Sequence, residues 1–119
     1  MLDSNPRKLI YLACPYSHKD PEVRQARYEK ISKIAAALVS KGIHAFSPIT
    51  YGHTLIDFVK MPGNWEFWQE FCLVFLQHAD ELWVYKFEDW EKSMGIRAEI
   101  DYATLKKIPI KYLDHEEEI

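Results

Sequence analysis

Apolar positions in this chain alternate between short unbroken runs and segments with helical spacing. Leu9-Ile10-Tyr11-Leu12-Ala13 is apolar throughout, the pattern of a strand buried on both faces, and Pro15 ends it. Asp20 to Lys41 then predicts a helix. Asp20 caps it, Pro21 suits the first turn, Glu22 favours the positive end, and Ile31, Ile34, Ala35, Leu38 and Val39 form one stripe before Gly42 stops it. Ile43 to Ile49 reads as a second strand with Pro48 at its end, and Thr50 to Asn64, with Gly52, Pro62 and Gly63, as a long loop. Trp65 to His78 predicts an aromatic-rich helix, Glu81 to Tyr85 a third strand, and Phe87 to Lys92 a polar turn. Ser93 to Lys106 predicts a third helix, and Ile108 to Leu113 a fourth strand that Pro109 marks as an edge; Asp114 to Ile119 reads as a frayed acidic tail.

The resulting order, β-α-β-loop-α-β-α-β, predicts a parallel sheet with right-handed crossovers. The expected fold class is α/β, a three-layer flavodoxin/Rossmann-like domain with a four- to five-stranded parallel sheet. At 119 residues the chain fits one domain, residues 1–119. Its formal net charge of −3 provides no positive field for a nucleic-acid polymer, although backbone N–H groups could hold one small phosphate. Cys14 and Cys72 lack metal-ligand or CxxC spacing and read as free thiols in a reducing compartment. With no signal-peptide layout and no apolar run near the ~20 residues of a membrane span, a cytoplasmic protein without membrane contact is expected.

Ligands of parallel sheets bind beyond the carboxyl ends of the strands, here Pro15–Lys19, Ser47–His53 and Lys86–Ser93. The first of these loops offers Pro15, Tyr16, Ser17 and His18, with Tyr11 in the strand before it; isolated tyrosines equally read as packing residues. His53 lies in the second, able to hydrogen-bond a base or a phosphate. Trp90 lies in the third, where an aromatic face could stack on a nucleobase; the other tryptophans read as core. Ser93 is a natural N-cap, and Gly95 would let a ligand approach a helix N-terminus that suits phosphate. Glu99, six residues after Ser93, projects near the same crevice. A carboxylate there can attack an anomeric carbon and stabilise an oxocarbenium-like transition state, whereas taken alone it reads as a solvated helix glutamate. Asp80 reads as a turn residue at a helix–strand junction. No metal or cofactor is expected: histidines and carboxylates lack ligand spacing, and Walker, GxGxxG and GxSxG motifs are missing from the sequence.

Two segments together carry a resemblance. Tyr11-Leu12-Ala13-Cys14-Pro15-Tyr16 resembles the Y-x-A-G-P-[FY] opening of the nucleoside 2-deoxyribosyltransferase superfamily, and Ser93-x-Gly95-Ile96-x-x-Glu99-Ile100-x-Tyr102-Ala103 resembles that family's G-[VT]-x-x-E-[LI]-G-x-A signature. Asp80 before Glu-Leu-Trp-Val-Tyr is similar to the family's acidic residue leading into the third strand, and Phe46-Ser47-Pro48-Ile49 and Trp90 to Ile96 are similar to a bacterial and phage branch. The resemblance spans Leu9 to Leu113. It implies a flavodoxin-like fold, a covalent deoxyribosyl intermediate on Glu99, and an active site completed by a neighbouring subunit. Ser93 resembles the serine of 2'-deoxynucleoside 5'-monophosphate N-hydrolases, which implies a nucleotide substrate and hydrolysis. Three positions depart from the pattern. Cys14 replaces a glycine, Tyr102 replaces a glycine, and Cys72 stands where the family often has an aspartate that assists the leaving base.

The sequence therefore predicts N-glycosidic cleavage of a nucleoside or nucleotide, with hydrolysis favoured over transfer. In this reading Glu99 is the nucleophile, and Tyr11 and Asp80 complete the catalytic set. Ser93 and Gly95 hold phosphate or sugar, and Pro15, Tyr16, Ser17, His53 and Trp90 frame the substrate. The rival expectations are a nucleotide-binding module without turnover and an assembly domain with an occluded crevice. A homo-oligomer is expected from the resemblance and from the aromatic surface of the Trp65–Phe75 segment.

Overall fold

A computed structural model describes residues 7–114 of the protein. Its elements run β1 (Leu9–Ala13), α1 (Pro21–Ser40), β2 (His44–Phe46), α2 (Pro48–Phe58), α3 (Trp65–Gln77), β3 (Glu81–Tyr85), a 3-10 turn (Trp90–Lys92), α4 (Met94–Leu105) and β4 (Ile110–Leu113). The four strands form one all-parallel sheet in the order β2-β1-β3-β4. This is the expected α/β three-layer architecture. Of the expected acidic tail only Asp114 falls within the described residues, where it pairs with Lys86 at 3.0 Å.

The unbroken apolar run of β1 has a direct physical reading, since successive side chains of a strand point to opposite faces. Ile10 and Leu12 pack with Ile31, Ile34 and Leu38 of α1 on one side of the sheet. Tyr11 and Ala13 pack with Cys72 and Leu76 of α3 and with Ile96 and Ala103 of α4 on the other. Both faces of β1 are thus core.

Helix ends follow their local chemistry. Asp20 accepts from the Glu22 N–H at 2.9 Å. Gly42, at φ +85°, closes α1 with the Gly42 N–H on Val39 O at 2.9 Å and the Ile43 N–H on Leu38 O at 3.0 Å, the paired pattern of a Schellman stop. Pro109 precedes β4, which is an edge strand as expected.

One expected segment is different. The region from Thr50 onward is not a long loop: Pro48–Phe58 is helix α2, and β2 shrinks to three residues. Ser47 caps the helix, accepting from the Thr50 N–H at 3.1 Å and the Thr50 hydroxyl at 2.9 Å, while Pro48 occupies the first turn, where its missing N–H costs nothing. Pro48 therefore starts a helix, and Gly52, which suggested a loop, lies inside that helix against the Trp68 ring, 3.4 Å from where a Cβ would sit.

The order 2-1-3-4 sends the chain from β1 to one side and then back across to β3. The loops after β1 and β3 diverge there and open a crevice at the carboxyl ends of these two strands. Ser47→Ala removes the cap of the helix that walls this crevice. It is expected to lower the unfolding free energy by about 1–2 kcal/mol in urea titration; an unchanged midpoint and slope would show that α2 needs no cap.

Candidate functional site

Glu99 enters the chemistry through burial. It lies in the second turn of α4, on the side that faces the sheet, and retains only 5% of its exposure. The Tyr11 hydroxyl, rising from the middle of β1, donates to its Oε2. Burial pushes the Glu99 carboxyl up to about 7 even though the Tyr11 hydrogen bond pulls the other way. Tyr11 is itself held protonated, first by burial and then by the Glu99 charge. Glu99 lines a cavity of about 290 Å³ at the carboxyl ends of β1 and β3, with Tyr11 buried behind it.

The walls come from four segments. Ala13 ends β1, and Cys14, Tyr16 and Ser17 follow it; Pro48, Ile49, Gly52, His53 and Ile56 belong to α2; Trp65, Trp68 and Cys72 belong to α3; Ser93, Gly95 and Ile96 open α4. The lower wall holds two thiols. Burial, followed by the Glu99 charge, raises both; Cys72 reaches about 12 and Cys14 is held above its ordinary value. Both are neutral S–H groups at physiological pH. At the mouth, the Tyr16 hydroxyl and His53 Nδ1 are 2.8 Å apart, His53 Nε2 lies 3.1 Å from Gln25 Oε1, and the Tyr28 ring stacks on the imidazole with centroids 3.9 Å apart.

Of the residues expected from sequence, Glu99, Tyr11, Tyr16, Ser17, His53, Ser93 and Gly95 are brought together here. Pro15 is buried just below the lining. Ser93 uses its hydroxyl to cap α4, accepting from the Ile96 N–H at 3.2 Å. Two expectations are corrected. Asp80 sits at the opposite end of the sheet, where its carboxylate accepts from the Leu9 N–H at 2.7 Å and its own N–H donates to Leu9 O at 2.8 Å. It clasps the starts of β1 and β3, which explains an acid before β3 in structural terms. Trp90 packs on the α3–α4 core and tilts against Tyr112, with ring centroids 5.9 Å apart, and does not line the cavity.

Gly95 also plays a different part. The space above its backbone is filled by the Trp65 ring, 3.1 Å from where a Cβ would stand. The glycine lets an indole approach the first turn of α4. The aromatic walls are accordingly Trp65 and Trp68, with Trp68 Nε1 donating to Pro62 O at 2.8 Å. Sequence reasoning placed these two in the core; the signal that could have found them was Ser47-Pro48-x-Thr50, which starts α2 and makes α3 the facing wall. Among the described residues, no group of three His, Cys, Asp or Glu side chains is placed to hold a metal ion, and no helix is long and apolar enough to cross a membrane.

Fold and cavity together define a three-layer α/β domain with a carboxylate buried at its strand-end crevice. The chain belongs to a family described as a domain of unknown function, DUF1937, whose model matches residues 8–114. No curated protein matches it.

The raised carboxyl has a consequence for stability. The unfolded chain ionises Glu99 near the ordinary glutamate value, 4.5, and the folded chain near 7. Between these values the folded state binds the extra proton, so this group's stabilising contribution is full below about pH 4.5 and is lost as pH rises through 7. Glu99→Gln is expected to flatten that decline and to gain on the wild type by a few kcal/mol, in order of magnitude, at pH 8. Urea unfolding at pH 5 and pH 8 measures it; parallel pH dependence in both proteins would show that Glu99 titrates normally.

Proposed function

We propose that the protein cleaves the N-glycosidic bond of a nucleoside or nucleotide, with hydrolysis favoured over base transfer. The observation that carries this reading is the Glu99 carboxylate, buried and held by the Tyr11 hydroxyl beneath an aromatic-walled cavity. A carboxylate stripped of water is a stronger nucleophile and a closer counter-charge for a developing oxocarbenium ion. Tyr11 fixes which oxygen is tied and leaves the other to react. The resemblance of the Tyr11–Tyr16 and Gly95–Ala103 segments to nucleoside 2-deoxyribosyltransferases supports the same chemistry.

In this mechanism the Glu99 carboxylate bonds to C1' of the sugar as the C1'–N bond breaks, its electron pair leaving with the base. The base takes a proton from water, because the Cys72 thiol, raised to about 12, is too weak an acid to supply one. Water then attacks C1', releases the sugar and restores the carboxylate; in a transferase a second base would attack instead. Trp65 and Trp68 are the faces against which a base would stack. Ser93 and the first turn of α4 lie where a sugar or 5'-phosphate would be held.

A second reading, nucleotide binding without turnover, is favoured by one observation: the thiol of Cys72 beside Glu99, in place of a second carboxyl. An assembly role alone calls for an occluded crevice, and the open cavity at the strand ends argues against it. Self-association remains part of the proposal, supported by the exposed Phe67, Val74 and Phe75 of α3.

The test is chromatographic detection of free base from the four 2'-deoxynucleoside monophosphates, the deoxynucleosides and their ribo counterparts. Release is expected to rise with pH through about 7, as Glu99 ionises, and to fall at least about a thousandfold in Glu99→Gln. Saturable binding with no base released from any of these would favour the binding reading; release that is indifferent to Glu99→Gln would remove Glu99 from the mechanism.

A further inference from the structure

The direction of one chain of hydrogen bonds at the cavity mouth follows from an exposed carboxylate, that of Glu29. The Gln25 side-chain N–H donates to Glu29 Oε2 at 2.9 Å, which turns the amide so that its carbonyl faces His53. A carbonyl oxygen only accepts, so His53 Nε2, 3.1 Å away, carries the imidazole proton. Asp57 Oδ2, 4.0 Å from the same nitrogen, favours the same assignment. With the proton on Nε2, Nδ1 is the bare nitrogen and accepts, and the Tyr16 hydroxyl, 2.8 Å away, donates to it. The Tyr28 ring stacked on the imidazole prevents the ring from turning out of this alignment.

Tyr16 lines the cavity and its one hydroxyl proton is committed to His53. What its oxygen can offer a ligand is therefore a lone pair. Nearby, Asn64 uses an amide N–H on Glu66 Oε1 at 3.1 Å, and both residues line the same mouth. Tyr16 thus adds to the lining, which also holds Ser17, Asn64, Glu66 and Lys92, a hydroxyl oxygen that accepts and does not donate.

We propose that Tyr16, oriented by His53 and Gln25, is a specificity-determining residue that selects nucleobases bearing an exocyclic amino group over their oxo counterparts. The proposal rests on the reading of the cavity as a nucleoside site. An amino group supplies the N–H that the Tyr16 oxygen accepts, whereas a carbonyl in the same place sets two acceptors against each other and leaves both without a partner.

Matched pairs isolate the effect: 2'-deoxyadenosine against 2'-deoxyinosine, and 2'-deoxycytidine against 2'-deoxyuridine. Dissociation constants are read from tryptophan fluorescence on Glu99→Gln, so that turnover does not interfere. The amino member of at least one pair is expected to bind about tenfold more tightly. Tyr16→Phe is expected to bring the two members of that pair within about twofold, and His53→Ala to do the same with the hydroxyl retained, because the freed proton can then be donated. Loss of discrimination in His53→Ala separates orientation of the hydroxyl from mere packing, and circular dichroism of both variants confirms that they fold. Equal binding within both pairs, or preference for the oxo members, would overturn the selection while leaving a nucleoside site in place. Binding of none of the four would overturn the nucleoside site and the selection together.

Discussion

Placing a carboxylate where water cannot reach it is unfavourable unless something else holds it, and in this domain that something is a single phenol. Glu99 is all but fully buried and bonded by Tyr11, which is itself buried in the middle of the sheet. Around this pair the fold is arranged with little freedom. Tyr11 must lie on a strand whose two faces are both core, so that its hydroxyl reaches a helix packed on one of them. Glu99 must sit on the inner side of α4, whose start is fixed by the Ser93 cap and by Trp65 lying over Gly95. The charge is tolerated because the carboxyl is poised near neutrality, half able to hold its proton.

The surroundings reinforce that poise. Cys14 and Cys72 line the same floor, and neither thiol ionises under ordinary conditions. They add no competing charge. Indole and aliphatic side chains from α2 and α3 line the cavity beside them, and the Tyr16–His53–Gln25–Glu29 chain ties the loop after β1 to α1 and α2. The site thus joins a floor that holds the buried Glu99 carboxyl to a Tyr16–His53–Gln25 chain whose hydrogen-bonding directions are set from outside.

Much of this was legible from sequence because the signals are local or periodic. The β1 run, the Asp20 and Ser93 caps, the Gly42 stop and the alternation of strands and helices identified the parallel sheet and the end at which its crevice opens. Tyr11 and Glu99, 88 residues apart in the chain, both belong to the set of site residues expected from sequence. The missed features depend on what meets what. Ser47-Pro48 was read as a strand ending although it also starts a helix, and with α2 absent the roles of Trp65 and Trp68 as cavity walls could not be seen. Trp90 lay in the right loop but turned towards Tyr112. Asp80 is an acid in the right sequence position whose carboxylate is engaged by a backbone N–H at the far end of the sheet, a contact no spacing rule encodes.

The central claim is that Glu99 acts by forming a bond to the sugar. Acid quenching of the protein during incubation with a 2'-deoxynucleoside monophosphate, followed by proteolysis and mass mapping, tests it most directly. The peptide containing Glu99 is expected to carry the mass of the glycosyl group, with the adduct missing from Glu99→Gln. Base release without an adduct on any peptide, or with the adduct on a different residue, would contradict it.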